Sequence, residues 1–157
     1  MKIIFLDIDG VLNSFKYDLS RTEDDGNIDL TRLPLLKRIV DCTDARIVLT
    51  SSWRRLWKKD GCFDIIGLWI ESLFESAGLD IYDKTPEIDP SERGSEVLAW
   101  LETNKSEVDS FVIIDDMLGG WGILSDRLVR TDARIGFGLM EQHVLKAIEI
   151  LERPIEL

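Results

Sequence analysis

The segment Phe5-Leu6-Asp7-Ile8-Asp9-Gly10-Val11-Leu12 decides the fold of this chain. An apolar run that begins at Ile3 ends in two aspartates one residue apart, and a glycine follows them. Apolar runs of this length that end at a glycine turn are typical of buried parallel strands. Ligands of open α/β sheets bind just outside the carboxyl ends of such strands. Because two acids at that edge repel each other and lose hydration, the segment predicts a site that a cation or a substrate stabilises.

The composition indicates a globular protein with an acidic surface. The 157 residues predict a single domain over residues 1–157, and 45% hydrophobic residues are enough for a full core. The net charge of −11 argues against non-specific binding of nucleic acid or anionic membranes, because both are negatively charged. Cys42 and Cys62 match no metal-ligand spacing and indicate no disulfide framework. We expect a cytoplasmic protein with no membrane partner, since no apolar run could span a bilayer and Met1 leads directly into the first strand.

Strands alternate with helices along the chain. The patterns predict strands at 1–9, 46–50, 79–83, 111–114 and 128–129, and helices at 30–42, 64–77, 91–104 and 139–151. We expect Thr31 to cap the first helix, and a polar loop at 13–28. The apolar side of the second helix is predicted to carry Ile65, Ile66, Trp69, Leu73 and Phe74, and the third helix to pack through Val97, Leu98 and Leu101. The fold class that follows is a three-layer α/β/α sandwich around a central parallel, Rossmann-like sheet.

Polar residues follow three of these strands at their carboxyl ends. They are Asp7 and Asp9, Thr50 and Ser51, and Asp115 and Asp116. Because parallel strands share one carboxyl edge, these side chains can converge. Carboxylates without a nearby histidine suit an oxygen-ligand cation such as Mg²⁺, whereas Zn²⁺ prefers nitrogen and sulfur ligands. Magnesium at carboxylates typically accompanies a phosphate, and the sequence has no Gly-x-x-x-x-Gly-Lys phosphate loop. Metal, hydroxyls and a basic residue would therefore hold the phosphate.

Four segments in this order resemble the motifs of the haloacid dehalogenase (HAD) superfamily. They are Asp7-Ile8-Asp9-Gly10-Val11, the strand ending in Thr50-Ser51, Arg93 at the start of a helix, and Ile113-Ile114-Asp115-Asp116. The further run Ser51-Ser52-Trp53-Arg54, with Thr85-Pro86, resembles the HAD domain of Swiss-army-knife RNA repair proteins.

The resemblance implies a Mg²⁺-dependent phosphatase. Asp7 would be the nucleophile that forms an aspartyl-phosphate, and Asp9 would protonate the leaving oxygen and then activate water. The Asp7 carboxylate, the Asp9 backbone carbonyl and Asp116 would hold the metal, with Asp115 beside it. Ser51, or Thr50 if the register differs by one residue, would contact the phosphoryl oxygens together with Arg93.

Three features distinguish this chain from many members of the superfamily. Arg93 stands where a lysine is more usual, and the two cations are not equivalent. Val11 replaces the threonine of many family phosphatases. The spacing between the motifs leaves no room for a substantial cap domain, and capless sites in this superfamily suit large substrates. The implied substrate is a phosphorylated small molecule or a polynucleotide end, and the sequence specifies no protein partner.

The segment 53–59 is the one concentrated basic and aromatic stretch in this acidic chain. Trp53, Arg54 and Arg55 could contact phosphates and bases of a nucleic-acid substrate. The alternative is the start of an amphipathic helix with buried tryptophans and solvated charges.

Two other functions compete with the phosphatase. A catalytically idle HAD-fold module could bind a protein partner through its acidic surface, but a scaffold does not need Asp9. A phospho-accepting receiver domain also gathers acids at strand ends. In a receiver domain the paired acids should follow the first strand, and the accepting aspartate should follow a middle strand. Asp7-x-Asp9 early in the chain and Asp115-Asp116 late in the chain do not fit this order.

Overall fold

The computed structural model describes residues 1–14, 28–61, 64–88, 92–134 and 136–155. The strands are β1 (Lys2–Leu6), β2 (Arg46–Leu49), β3 (Ile81–Lys84), β4 (Ser110–Asp115) and β5 (Leu128–Arg130). The helices are α1 (Leu33–Thr43), α2 (Ile65–Ser76), α3 (Arg93–Asn104) and α4 (Glu141–Leu151). The predicted order of strands and helices is confirmed, with ends that differ by up to three residues. Most of the predicted loop at 13–28 lies outside the described residues.

The five strands form one parallel sheet in the order β3-β2-β1-β4-β5. Strand β1 is central: Ile4 pairs with Ile47 of β2 on one side and with Val112 of β4 on the other. After β3 the chain returns across the sheet to form β4, so the strand order reverses between β1 and β4. Ligand crevices of open α/β sheets form at such a reversal, outside the carboxyl ends of the strands.

Both faces of the sheet are covered, as expected for a parallel sheet. Ile4 and Leu6 of β1 belong to a core that α1, α2 and α4 complete. Ile3 and Phe5 face the opposite core, which includes residues of α3. There the Phe5 ring makes an edge-on contact with Trp100 at 5.4 Å between centroids. The predicted three-layer α/β class is therefore confirmed.

The start of α1 differs from the prediction. Thr31 does not cap the helix, because its backbone N–H and its hydroxyl both donate to Asp29 Oδ1. The helix begins at Leu33, with Pro34 in its first turn, where the missing N–H of proline costs no helical hydrogen bond.

The packing faces of α2 and α3 differ from the prediction only in part, since Phe74 and Val97 are buried and Trp69, Leu73 and Leu101 pack against the two cores, as predicted. Gly67, Ile70 and Phe74 form the buried side of α2, whereas Ile65 is 83% exposed. Ile65 lies roughly 200° around the helix from Gly67, because each residue turns the helix by about 100°. In α3 the residue that packs beside Val97 is Trp100, and Leu98 lies at the surface.

The described parts of the connections between the strands consist of helices and turns. The connection from β1 to β2 contains α1, and the connection from β2 to β3 contains a 3₁₀ turn (Ser52–Arg55) and α2. No additional domain stands over the sheet edge among the residues described, as predicted for a capless HAD-like fold. In that same part of the chain, every helix is too short or too polar to cross a lipid bilayer.

The buried face of α2 makes a direct prediction about stability. Ile70→Ala should lower the free energy of unfolding by about 2–5 kcal/mol, because it opens a cavity in the core. Ile65→Ala, on the exposed side, should change it by less than about 0.5 kcal/mol. Urea denaturation followed by circular dichroism measures both values. Equal losses would show that the assigned face of α2 is wrong.

Candidate active site

The centre of the site is a buried cluster of two carboxylates and one guanidinium. Asp7 follows β1 and Asp115 ends β4, and both are at most 1% exposed. Nη1 of Arg93, the first residue of α3, pairs with Oδ2 of Asp7 and with Oδ2 of Asp115, the latter at 2.6 Å. The reversal of strand order thus brings the predicted first, third and fourth motifs together.

The second oxygen of each acid is bound by its own turn. Oδ1 of Asp7 accepts a hydrogen bond from Ile8 N at 2.8 Å, and Oδ1 of Asp115 accepts one from Met117 N at 2.8 Å. Each carboxylate is therefore oriented by a backbone N–H on one side and by Arg93 on the other.

Burial and mutual repulsion disfavour the charged forms of the two buried acids in this cluster. Burial, together with the charge of Asp115, raises the pKa of Asp7 to about 7, and Arg93 offsets only part of this shift. Burial likewise raises the pKa of Asp115, against the opposing effect of Arg93. Burial disfavours the charged form of Arg93, but its two acidic partners outweigh this effect and raise its pKa. One guanidinium does not neutralise the acids at this edge.

Asp116 adds a third carboxylate to the cluster. One oxygen from each of Asp7, Asp115 and Asp116 lies within 4.8 Å of the others. Three carboxylates and Arg93 sum to a formal charge of −2, which a divalent cation would balance, and carboxylate oxygens are the ligands that Mg²⁺ prefers. The residues present therefore fit the predicted metal. The Asp9 carboxylate is not part of this cluster, which leaves its backbone carbonyl as the predicted metal contact.

Gly10 allows the first motif to lie close to Asp116. Its φ of +77° is in the left-handed region, and a Cβ there would lie 2.7 Å from Asp116 Cγ and 2.8 Å from Ala133 Cβ. Thr131 Oγ1 also donates to Gly10 O at 2.8 Å. A side chain at position 10 would push the first and fourth motifs apart.

Asp9 lies in a different environment from Asp7. Its carboxylate is partly exposed and accepts two hydrogen bonds from neutral donors, from Asn13 Nδ2 at 3.0 Å and from Trp53 Nε1 at 2.9 Å. Asn13 also accepts a bond from Gly10 N at 2.9 Å, so one side chain supports both the turn and the acid.

The hydroxyls of Thr50 and Ser51 are both buried at the carboxyl end of β2. Ser51 Oγ accepts a bond from Trp53 N at 3.3 Å and so caps the 3₁₀ turn. Thr50 Oγ1 has no hydrogen-bond partner among the described residues. Buried hydroxyls are normally bonded, so Thr50 is a site where a ligand oxygen could supply the missing bond.

Arg54 is buried and does not face a substrate, contrary to the prediction. Its side chain is only 5% exposed and pairs with Glu96 at 2.7 Å. It also donates to the backbone carbonyls of Thr50 and Ser51. Arg54 therefore ties the loop after β2 to the first turn of α3, and the prediction that it contacts substrate is replaced by this internal role.

The rest of the segment 53–59 divides between surface and core. Arg55 is exposed and pairs with Glu87 at 2.6 Å, whereas Trp57 is 2% exposed. The expected amphipathic helix is limited to the 3₁₀ turn, but the predicted burial of tryptophan is found at Trp57.

Three residues of the site were not predicted from the sequence: Asn13, Gly94 and Glu96. Gly94 lets the start of α3 approach the loop after β4, because a Cβ on it would lie 2.3 Å from Gly120 O. Gly94 N donates to that same oxygen at 3.2 Å. A glycine directly after the predicted cation Arg93 is the signal that could have indicated this close approach.

The loop after β4 is also held by Trp121, which is buried and donates to Met117 O at 3.2 Å.

A parallel sheet with Asp-x-Asp after its central strand and paired aspartates at the neighbouring strand defines a HAD-like α/β protein. The sequence profile of one family, described as "HAD domain in Swiss Army Knife RNA repair proteins", matches residues 3–144. The chain belongs to this family, as its resemblance predicts. Membership supports a phosphatase-like function of HAD type at the level of the family. No individual curated protein and no solved structure matches the chain.

The acidic cluster predicts stabilisation by divalent cations. Mg²⁺ at 100 times its dissociation constant should stabilise the native state by about 2.7 kcal/mol and raise Tm. Asp116→Asn should remove most of this shift, since it deletes one ligand charge. Differential scanning fluorimetry with Mg²⁺ or EDTA measures the effect, and Asp80→Asn, at the opposite edge of the sheet, is the control. An unchanged Mg²⁺ response in Asp116→Asn would contradict the metal assignment.

Proposed function

We propose that this protein is a Mg²⁺-dependent phosphomonoester hydrolase that acts through an aspartyl-phosphate on Asp7. The observation that carries the proposal is the position of Asp7. This buried carboxylate contacts Arg93, and one of its oxygens lies within 4.8 Å of an oxygen of Asp115, which ends β4, and of Asp116, which follows it. A carboxylate between a guanidinium and further acidic oxygens suits phosphoryl transfer, because a nucleophile there lies beside groups that can hold a phosphate and a metal ion.

The proposed reaction has two steps. A carboxylate oxygen of Asp7 attacks phosphorus, the phosphorus–oxygen bond to the leaving group breaks, and Asp9 gives that oxygen a proton. Asp9 then takes a proton from a water molecule that attacks the phosphoryl group, which releases phosphate and regenerates Asp7. Proton transfer by a positioned side chain contributes typically about 10²–10⁴-fold to such rates.

The other polar groups stabilise the phosphoryl oxygens. Arg93 is the proposed cation at these oxygens, and Thr50 or Ser51 the proposed hydroxyl donor. Asp7, Asp116 and the Asp9 carbonyl would hold Mg²⁺, with Asp115 beside them, and the bound ion would reduce repulsion between the carboxylate and the phosphate.

The substrate we propose is a phosphorylated polynucleotide end. The described residues place no cap over the site, and the family description refers to RNA repair. A groove of about 830 Å³ adjoins the site through Thr131, which bonds to Asp115 O and Gly10 O. It is lined by Arg130, Thr131, Asp132, Arg134, Phe137, Met140, Gln142 and His143. Arg134 pairs with Asp132 and lies over the exposed Phe137 ring, 4.9 Å from its centroid, and we propose that a substrate phosphate replaces Asp132 as its partner. A cytoplasmic location belongs to the same proposal.

Asp7→Asn should abolish Mg²⁺-dependent release of phosphate from an aryl phosphate. The amide cannot act as the nucleophile, so we expect a loss of at least about 10³-fold, in the range seen for catalytic nucleophiles. A colorimetric phosphate assay measures turnover, with Asp80→Asn as the matched control. Equal turnover by Asp7→Asn and wild type would refute the proposal. A wild-type protein inactive on phosphorylated nucleotides, oligonucleotides, sugars and peptides would favour the idle module that binds a protein partner.

We predict that Arg134, which lines the groove, contacts an oligonucleotide substrate. Arg134→Ala should raise KM for a 3′-phosphorylated oligonucleotide. The slope of log KM against the logarithm of the salt concentration should also become smaller by about 1, as expected for the loss of one phosphate contact. KM for a small aryl phosphate should not change.

Two matched variants control this experiment. Lys105→Ala removes an exposed charge at the far end of α3 and should have no effect. Arg55→Ala tests the segment 53–59, the alternative substrate contact that the sequence raises. If Arg55→Ala alone changes KM, the substrate follows the segment 53–59 and not the groove.

A further inference from the structure

We propose that Trp53 is a positioning residue that holds Asp9 in place for proton transfer through its indole N–H. The inference rests on the proposed function, because it assigns a task to Asp9. It differs from the expectation that Trp53 stacks on a substrate base.

The geometry of the Asp9 carboxylate carries this inference. Trp53 Nε1 donates to Oδ2 at 2.9 Å, and Asn13 Nδ2 donates to Oδ1 at 3.0 Å. With one donor on each oxygen, the plane of the carboxylate is fixed. The indole N–H is a donor only, so this contact depends on Asp9 as its acceptor.

The indole itself is held by two other elements. Trp53 lies in the 3₁₀ turn after β2, which Arg54 anchors to α3 through Glu96. Its ring lies against Trp69 of α2, with centroids 6.1 Å apart. A donor whose own position is fixed can orient an acid without losing much entropy when the substrate binds.

Trp53 also connects two parts of the site. Its backbone N–H donates to Ser51 Oγ at 3.3 Å, and its side chain donates to Asp9. Trp53 thus contacts both Ser51, a proposed phosphate-binding residue, and Asp9, the proposed proton donor. Phenylalanine could reproduce the ring and the backbone bond at this position but not the bond to Asp9.

Trp53→Phe separates these contributions in the full chain. It should lower kcat/KM for an alkyl phosphate by roughly 10- to 100-fold, part of the 10²–10⁴ that general acid catalysis supplies. An aryl phosphate with an acidic leaving group needs little protonation, so its kcat/KM should fall by no more than about threefold. Trp69→Phe keeps the indole of Trp53 and an aromatic ring packed against it, and should show no such selectivity. Equal losses on both substrates in Trp53→Phe would overturn the positioning role.

A second measurement tests the contact without turnover. Hydrogen exchange of the tryptophan indole N–H groups, followed by NMR, should show a protected Trp53 signal, assigned by its absence in Trp53→Phe. Asp9→Ala should speed exchange at Trp53 severalfold and leave Trp69 unchanged. Unchanged exchange at Trp53 would overturn the inference. Inactivity of the wild type on every phosphate ester would overturn the proposed function and the catalytic task of Trp53, while exchange would still decide the contact.

Discussion

The contact of Arg93 with Asp7 and Asp115 is the interaction on which the site depends. Two carboxylates buried side by side repel each other, and each loses its hydration, which costs several kcal/mol per ion in real proteins. The guanidinium between them reduces this cost, but it must arrive from a different element, since neither strand carries a cation at its end. The sheet therefore requires α3 to begin directly beside the carboxyl ends of β1 and β4.

The first turn of α3 meets this requirement through several contacts. Gly94 allows it to touch the loop after β4, where Gly120 O accepts its backbone N–H. Three residues after Arg93, Glu96 accepts a bond from Ile88 N and pairs with Arg54. The same helical turn thus contributes a cation to the acids of the first and fourth motifs and an anion to the loop of the second. Breaking either buried pair leaves an uncompensated charge, which is strongly destabilising.

The sequence predicts those parts of the site that local chemistry determines. An apolar run that ends in acids or hydroxyls identifies a strand end without knowledge of its neighbours, which is why Asp7, Thr50 and Asp115 are found at one edge. The direction in which a side chain points depends on contacts far along the chain. Arg54 turns inward because it pairs with Glu96, which is 42 residues further along the chain. The indole of Trp53 donates to Asp9, which is 44 residues earlier in the chain. The unequal burial of Ile65 and Ile70 likewise follows from how α2 lies on the sheet.

Asp7 and Asp9 show how one short segment places two carboxylates in different surroundings. The strand direction carries Asp7 into the core, where it contacts Arg93 and two further acids come near. The turn at Gly10 leaves Asp9 partly exposed, between the neutral donors of Asn13 and Trp53. A nucleophile must face phosphorus beside compensating charge, whereas a proton carrier must reach the leaving group and the water. Two carboxylates in such unlike surroundings can take unlike roles in one reaction.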